Sequence, residues 1–78
     1  MAQKGHFLIK ETFVNGHTCL LRKGGYGVGE GEIILLEDYY KTRGIAKRVC
    51  DQMQKKNDRD VRIYKGIISP RKYEVYEA

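Results

Sequence analysis

The stretch TRGIAKRVCDQMQKKN, residues 42–57, is the longest segment of the chain with a helical period. Ile45, Ala46, Val49 and Met53 recur on one side of a helix, and Cys50 borders them. The opening threonine suits an N-cap. The spacing therefore predicts a helix from the threonine to about residue 56, with an apolar stripe that strands cover.

Short apolar or alternating runs on both sides of this helix predict strands. They cover residues 6–14, 17–23, 32–36, 61–68 and 72–77. Asn15-Gly16 predicts a two-residue type I′ hairpin turn between the first two. The run at 32–36 also fits an early helix start, but its two isoleucines favour a strand. We predict one α+β domain over residues 1–78: a small antiparallel sheet in the order β-β-β-α-β-β, with one helix packed on one face.

Charge is divided unevenly along the chain, whose net charge is +5. Residues 39–78 hold eleven Lys and Arg against five Asp and Glu, whereas residues 1–38 hold four against five. This asymmetry favours an anionic partner. No membrane-length apolar run and no secretory signal is evident, so we expect a cytoplasmic protein. Cys19 and Cys50 are then expected to be reduced and buried, with a disulfide as the alternative.

No motif for catalysis or for metal binding stands out. The glycine-rich GGYGVGEG, residues 24–31, lacks the register and the following helix of a phosphate loop, and is interpreted as a flexible connection. An alternative is that Tyr26 at its tip packs on a partner. His6, His17 and Cys19 lack the spacing and the fourth ligand of a zinc site. We expect no enzyme activity and no cofactor or metal ion.

The basic residues of the helix and of the segment after it are the candidate contacts. Arg43, Lys47, Arg48, Lys55 and Arg62 are predicted to bind nucleic acid or a partner, and Tyr64 or Tyr76 to stack on bases. The helix and the predicted C-terminal hairpin would form this interface. A solvated helix face with tyrosines in the core explains the same residues equally well.

In size, charge and order of elements, the chain resembles small proteins of bacteriophages and mobile elements, some anti-CRISPR proteins among them. The resemblance covers the hairpin, TRGIAKRVCDQMQKKN, VRIYKGII and KYEVYE, and it carries over no residue roles. It implies a non-catalytic binder. Two hypotheses follow: a basic module that binds nucleic acid or a nucleoprotein complex, or an inhibitor that docks on a host protein and blocks its nucleic-acid binding. An exposed edge strand would also permit a homodimer.

Overall fold

A computed structural model describes residues 6–77 of the chain. It contains β1 (Phe7–Thr12), β2 (Thr18–Leu21), a short 3-10 helix (Leu36–Asp38), α1 (Arg43–Ile63) and β3 (Lys72–Glu77). The strands form one antiparallel sheet in the order β2-β1-β3, and α1 packs against it. The predicted α+β class is confirmed. The described sheet has three strands rather than the predicted five. Residues 1–5, part of the N-terminal segment in which no secretory signal is evident, lie outside the described part.

The first hairpin is confirmed, but its predicted turn type is wrong. A type I′ turn needs positive φ at both central residues, and only Gly16 has one, at 90°. The loop has three residues: Phe13 N donates to His17 O at 2.8 Å, and Gly16 N donates to Phe13 O at 2.9 Å. The resulting register pairs Ile9 with Leu21, which puts both on the side of the sheet that faces α1.

Two predicted strands are absent from the described residues. Residues 32–36 pair with no strand of the described sheet, in which β3 lies on one side of β1 and β2 and Tyr40 lie on the other. Ile33 is consequently 80% exposed. Residues 61–68 begin as the end of α1 and continue as turns, which Gly66 permits with a φ of 85°. The predicted C-terminal hairpin is therefore wrong, although the strand at Lys72–Glu77 is confirmed.

The helix begins where the sequence predicts and ends seven residues later than predicted. Thr42 is the N-cap, and its Oγ1 accepts a hydrogen bond from Ile45 N at 3.1 Å. Ala46, Cys50 and Asn57 are its buried residues, so Asn57 continues the buried side instead of ending the helix. Ile45, which the predicted apolar stripe included, is exposed because it lies outside the row formed by these buried residues.

The core lies between α1 and the sheet. Phe7, Ile9 and Leu21 from the sheet meet Ala46 and Cys50 from the helix, and Tyr40 completes the cluster. Full burial of a side chain the size of isoleucine contributes about 1.5–3 kcal/mol, so a domain this small depends on each member. Burial raises the pKa of the Cys50 thiol, which keeps it protonated and unreactive.

Within residues 6–77, no helix combines the length and the apolar composition that crossing a membrane requires.

Candidate functional site

Arginine and lysine side chains form a row along the solvent side of α1. We define the basic stripe as Arg48, Lys55, Arg59 and Arg62, together with Gln52. These residues follow one another at intervals of four and three, so at about 100° per residue they fall within a sector of about 80°. The stripe spans about 21 Å along the axis, at 1.5 Å per residue. All five residues are exposed.

This sector points away from the core. Counted by the same helical angle, Cys50 and Asn57 lie about 160–200° from Arg48, on the buried side of the helix. The sheet covers that side, which leaves the whole length of the stripe open to solvent. Lys56 borders the stripe on one side and lines a shallow groove with its members.

Three cations of the stripe have no carboxylate partner in the part of the chain that the structure describes: Arg48, Lys55 and Arg62. Arg59 makes one long contact, 3.8 Å from its Nε to Asp60 Oδ1. Lys56 is similar, with its Nζ 3.7 Å from Asp60 Oδ2. Unpaired cations keep most of their potential available for an external anion.

Two cations of the predicted contact set lie outside the stripe. Arg43 Nη2 contacts Glu77 Oε1 at 3.1 Å, and its guanidinium lies 5.5 Å from the centre of the Phe7 ring. Lys47 Nζ donates to Asp51 Oδ1 at 2.6 Å, and this hydrogen bond raises the pKa of Lys47. The structure therefore separates these two cations, each with a carboxylate, from the remaining three.

The tyrosines predicted to stack on bases are not on the stripe either. Tyr64 caps the C-terminus of α1, about 200° around the axis from Arg62, and is 51% exposed. Tyr76 lies on β3 and is 40% exposed. The structure does not bring either ring next to the row of cations along α1.

An open cleft of about 510 Å³ lies beside the stripe, between the second half of α1 and the ends of β1 and β3. Its polar lining includes Glu11, Lys56, Asn57, Asp60 and Arg71. Met53, Leu21 and Ile68 supply apolar surface, and Tyr73 also lines the cleft. Lys56 lines both the cleft and the groove along the stripe, so the two features adjoin at this residue.

Glu11 lines this cleft and is only 7% exposed. Its Oε2 accepts hydrogen bonds from Tyr73 Oη at 2.8 Å and Arg71 Nη1 at 3.2 Å. Burial and the Glu11 hydrogen bond raise the pKa of Tyr73, so the phenol stays a donor. Arg71 also lies 5.0 Å from the centre of the Phe13 ring. Asn57 fixes the same segment, because its Oδ1 accepts from Arg71 N at 2.8 Å.

Sequence reasoning did not assign this cluster. One signal was available: Glu11 interrupts the apolar alternation of β1, where a carboxylate needs a buried partner. Its partners come from sixty or more positions along the chain, which local patterns do not join. Across residues 6–77, no three histidine, cysteine, aspartate or glutamate side chains are arranged to hold a metal ion.

The glycine-rich segment is tied to the sheet. Val28 N donates to Leu20 O at 2.8 Å, and the Arg22 guanidinium donates to Gly27 O at 3.1 Å and contacts Glu32. These bonds hold residues 26–28 along the outer edge of β2 and leave Tyr26 71% exposed.

No protein-family model, curated protein or solved structure matches this chain.

Proposed function

We propose that the protein is a non-enzymatic module that binds nucleic acid through the phosphate backbone, with the basic stripe of α1 as its contact surface. The observation that carries the proposal is the row of Arg48, Lys55 and Arg62, opposite the buried side of the helix and without ion-pair partners among the described residues. Such cations neutralise phosphates and release counterions. Arg59 lies in the same row on α1 and is part of the proposed contact surface. A cytoplasmic location is part of this proposal.

The stripe favours contact with the backbone rather than reading of sequence. It carries a single neutral polar side chain, Gln52, and no aromatic ring. Contacts to phosphate fix position and supply affinity but carry no sequence information. We therefore expect binding to differ little among base sequences in duplex DNA, and to depend strongly on salt.

The test is fluorescence anisotropy with labelled oligonucleotides, using two double variants that lose the same charge. Lys55→Gln/Arg62→Gln neutralises two of the four cations of the stripe, whereas Arg43→Gln/Lys47→Gln neutralises two cations that already have carboxylate partners. We expect the first pair to weaken binding much more than the second. Equal effects of the two pairs would show that net charge, and not this surface, determines binding.

A second candidate function has its own supporting observation. Ile33, Leu35 and Leu36 are between 53% and 80% exposed, and Glu30, Glu32, Glu37 and Asp38 surround them in sequence. Apolar surface with an acidic border suits docking on a protein surface that itself binds nucleic acid. This is the inhibitor hypothesis that the phage-protein resemblance implies.

The inhibitor hypothesis is tested by a pull-down from nuclease-treated host lysate. A partner that survives the nuclease and is lost with Ile33→Ser/Leu36→Ser supports docking through this segment. A partner captured equally by both proteins, or lost with the nucleic acid, contradicts it.

A further inference from the structure

We propose that the cleft beside the basic stripe takes up one unpaired base of a bound strand, which makes single-stranded nucleic acid the preferred ligand. This inference rests on the proposed function. It concerns the cleft bounded by Glu11, Lys56, Asp60, Ile68 and Arg71, whose volume of about 510 Å³ lies in the range of small-ligand sites.

The charges of the cleft favour a neutral group over a phosphate. Two carboxylates, Glu11 and Asp60, face two cations, Lys56 and Arg71, so the formal charges of the lining cancel. A phosphate in the cleft would meet the Glu11 carboxylate in surroundings that screen it poorly. The cations without a carboxylate partner among residues 6–77 lie outside the cleft, on the stripe. Phosphate therefore belongs on the stripe, and the uncharged part of a nucleotide belongs in the cleft.

The cleft and the groove along the stripe adjoin at Lys56, which makes simultaneous contact with both possible. Lys56 lines both the cleft and the groove along the stripe, and its contact with Asp60 is long, at 3.7 Å. An ammonium in this place can hold the phosphate of the nucleotide whose base enters the cleft. In a duplex the base is paired and stacked, so it reaches such a cleft only after unpairing, which costs free energy.

Hydrogen-bonding capacity inside the cleft matches a base that carries an amino group. The Oε2 atom of Glu11 is occupied by Tyr73 and Arg71, while no hydrogen bond within residues 6–77 uses its Oε1. Among residues 6–77, the fully buried side-chain N or O atom that lacks a hydrogen bond is Arg22 Nε. Since Glu11 Oε1 also lacks one, it is not fully buried and can be reached from the cleft. A carboxylate oxygen accepts from the exocyclic amine of cytosine or adenine. Met53 and Ile68 offer apolar contact to the ring.

The first test compares a short adenine-rich single strand with the same strand annealed to its complement, using the wild-type protein. We expect the single strand to bind at least about tenfold more tightly, the scale of one contacted base. Equal affinity for the two forms overturns the inference.

The second test is Glu11→Leu, which removes the acceptor oxygens, with Glu74→Leu as a matched control on the exposed face of β3. We expect Glu11→Leu to remove a preference for oligo-adenine over oligo-thymine, without changing the salt dependence that the stripe produces. A preference that survives in a folded Glu11→Leu protein contradicts the role of this carboxylate. If the variant does not fold, the wild-type comparison of single strand with duplex decides alone.

Failure of this inference is distinct from failure of the proposed function. Salt-sensitive binding that depends on Lys55 and Arg62 but does not distinguish single strand from duplex removes the base site and leaves backbone binding. Binding that ignores Lys55→Gln/Arg62→Gln removes both.

Discussion

Removing cations from the stripe should lower the salt dependence of nucleic-acid binding by a calculable amount. If Arg48, Lys55, Arg59 and Arg62 each neutralise one phosphate, the slope of log K against log salt is about −3.6 on duplex DNA and about −2.8 on a single strand. Between 50 and 200 mM salt, affinity should then fall by about 150-fold on duplex and about 50-fold on single strand. Two fewer phosphate contacts, as in Lys55→Gln/Arg62→Gln, halve these slopes, so the duplex affinity should fall only by about 12-fold over the same range.

The measurement is a salt titration followed by anisotropy, repeated for the variant that keeps the stripe. Arg43→Gln/Lys47→Gln should retain the slope of the wild-type protein, because its two cations already contact Glu77 and Asp51. Thermal unfolding of each variant checks that the fold is intact. A slope that is near zero in the wild-type protein, or that drops equally in both variants, would refute the assignment of phosphate contacts to the stripe.

Three further predictions concern stability. Ile33→Ser should change the free energy of unfolding by less than about 0.5 kcal/mol because the side chain is 80% exposed. Ile9→Ala, at a fully buried position, should lower the free energy of unfolding by about 2–5 kcal/mol. Urea titration of both variants measures this difference. Gln54→Ala should lower the free energy of unfolding by about 1–3 kcal/mol in the same assay, because the Gln54 amide donates to Arg71 O at 2.8 Å and accepts from Tyr73 N at 3.0 Å. An unchanged free energy of unfolding would mean that water replaces both hydrogen bonds. The pKa of Tyr73 is raised in the folded state, so the unfolded chain loses the phenol proton first, and stability should fall as pH rises above about 10. Denaturant midpoints measured across that pH range should fall less steeply in Tyr73→Phe than in the wild-type protein. Parallel curves for the two proteins would contradict this prediction.

The Gln54 contacts also bear on the predicted homodimer. Its amide occupies a backbone acceptor and a backbone donor at the start of β3, as a neighbouring strand would. Residues 26–28 similarly occupy part of the outer edge of β2. Covered edges are poor templates for pairing with another chain. Dimerisation through the sheet stays a prediction, and the uncovered edge left for it is short.

Local sequence determined the parts of this protein that depend on neighbours in the chain. The period of residues 42–57, the cap at Thr42 and the glycine after Asn15 were sufficient to predict α1 and the first hairpin, because 3.6-residue and two-residue repeats act within a few positions. The alternation of KYEVYE predicted β3 for the same reason. The position of the cations on the outer side of α1 also follows from the period alone.

Tertiary structure decided everything that needs a partner distant in sequence. Ile-Ile-Leu-Leu at 33–36 has the composition of a buried strand, yet it lies outside the sheet, whose central strand β1 pairs with β2 and β3 instead. Asn57 continues a helix that its residue type would end, since the segment before β3 bonds to its side chain. The Glu11 cleft and the ion pair between Arg43 and Glu77 likewise depend on which residues the fold places opposite them, and no repeat in the sequence encodes that choice.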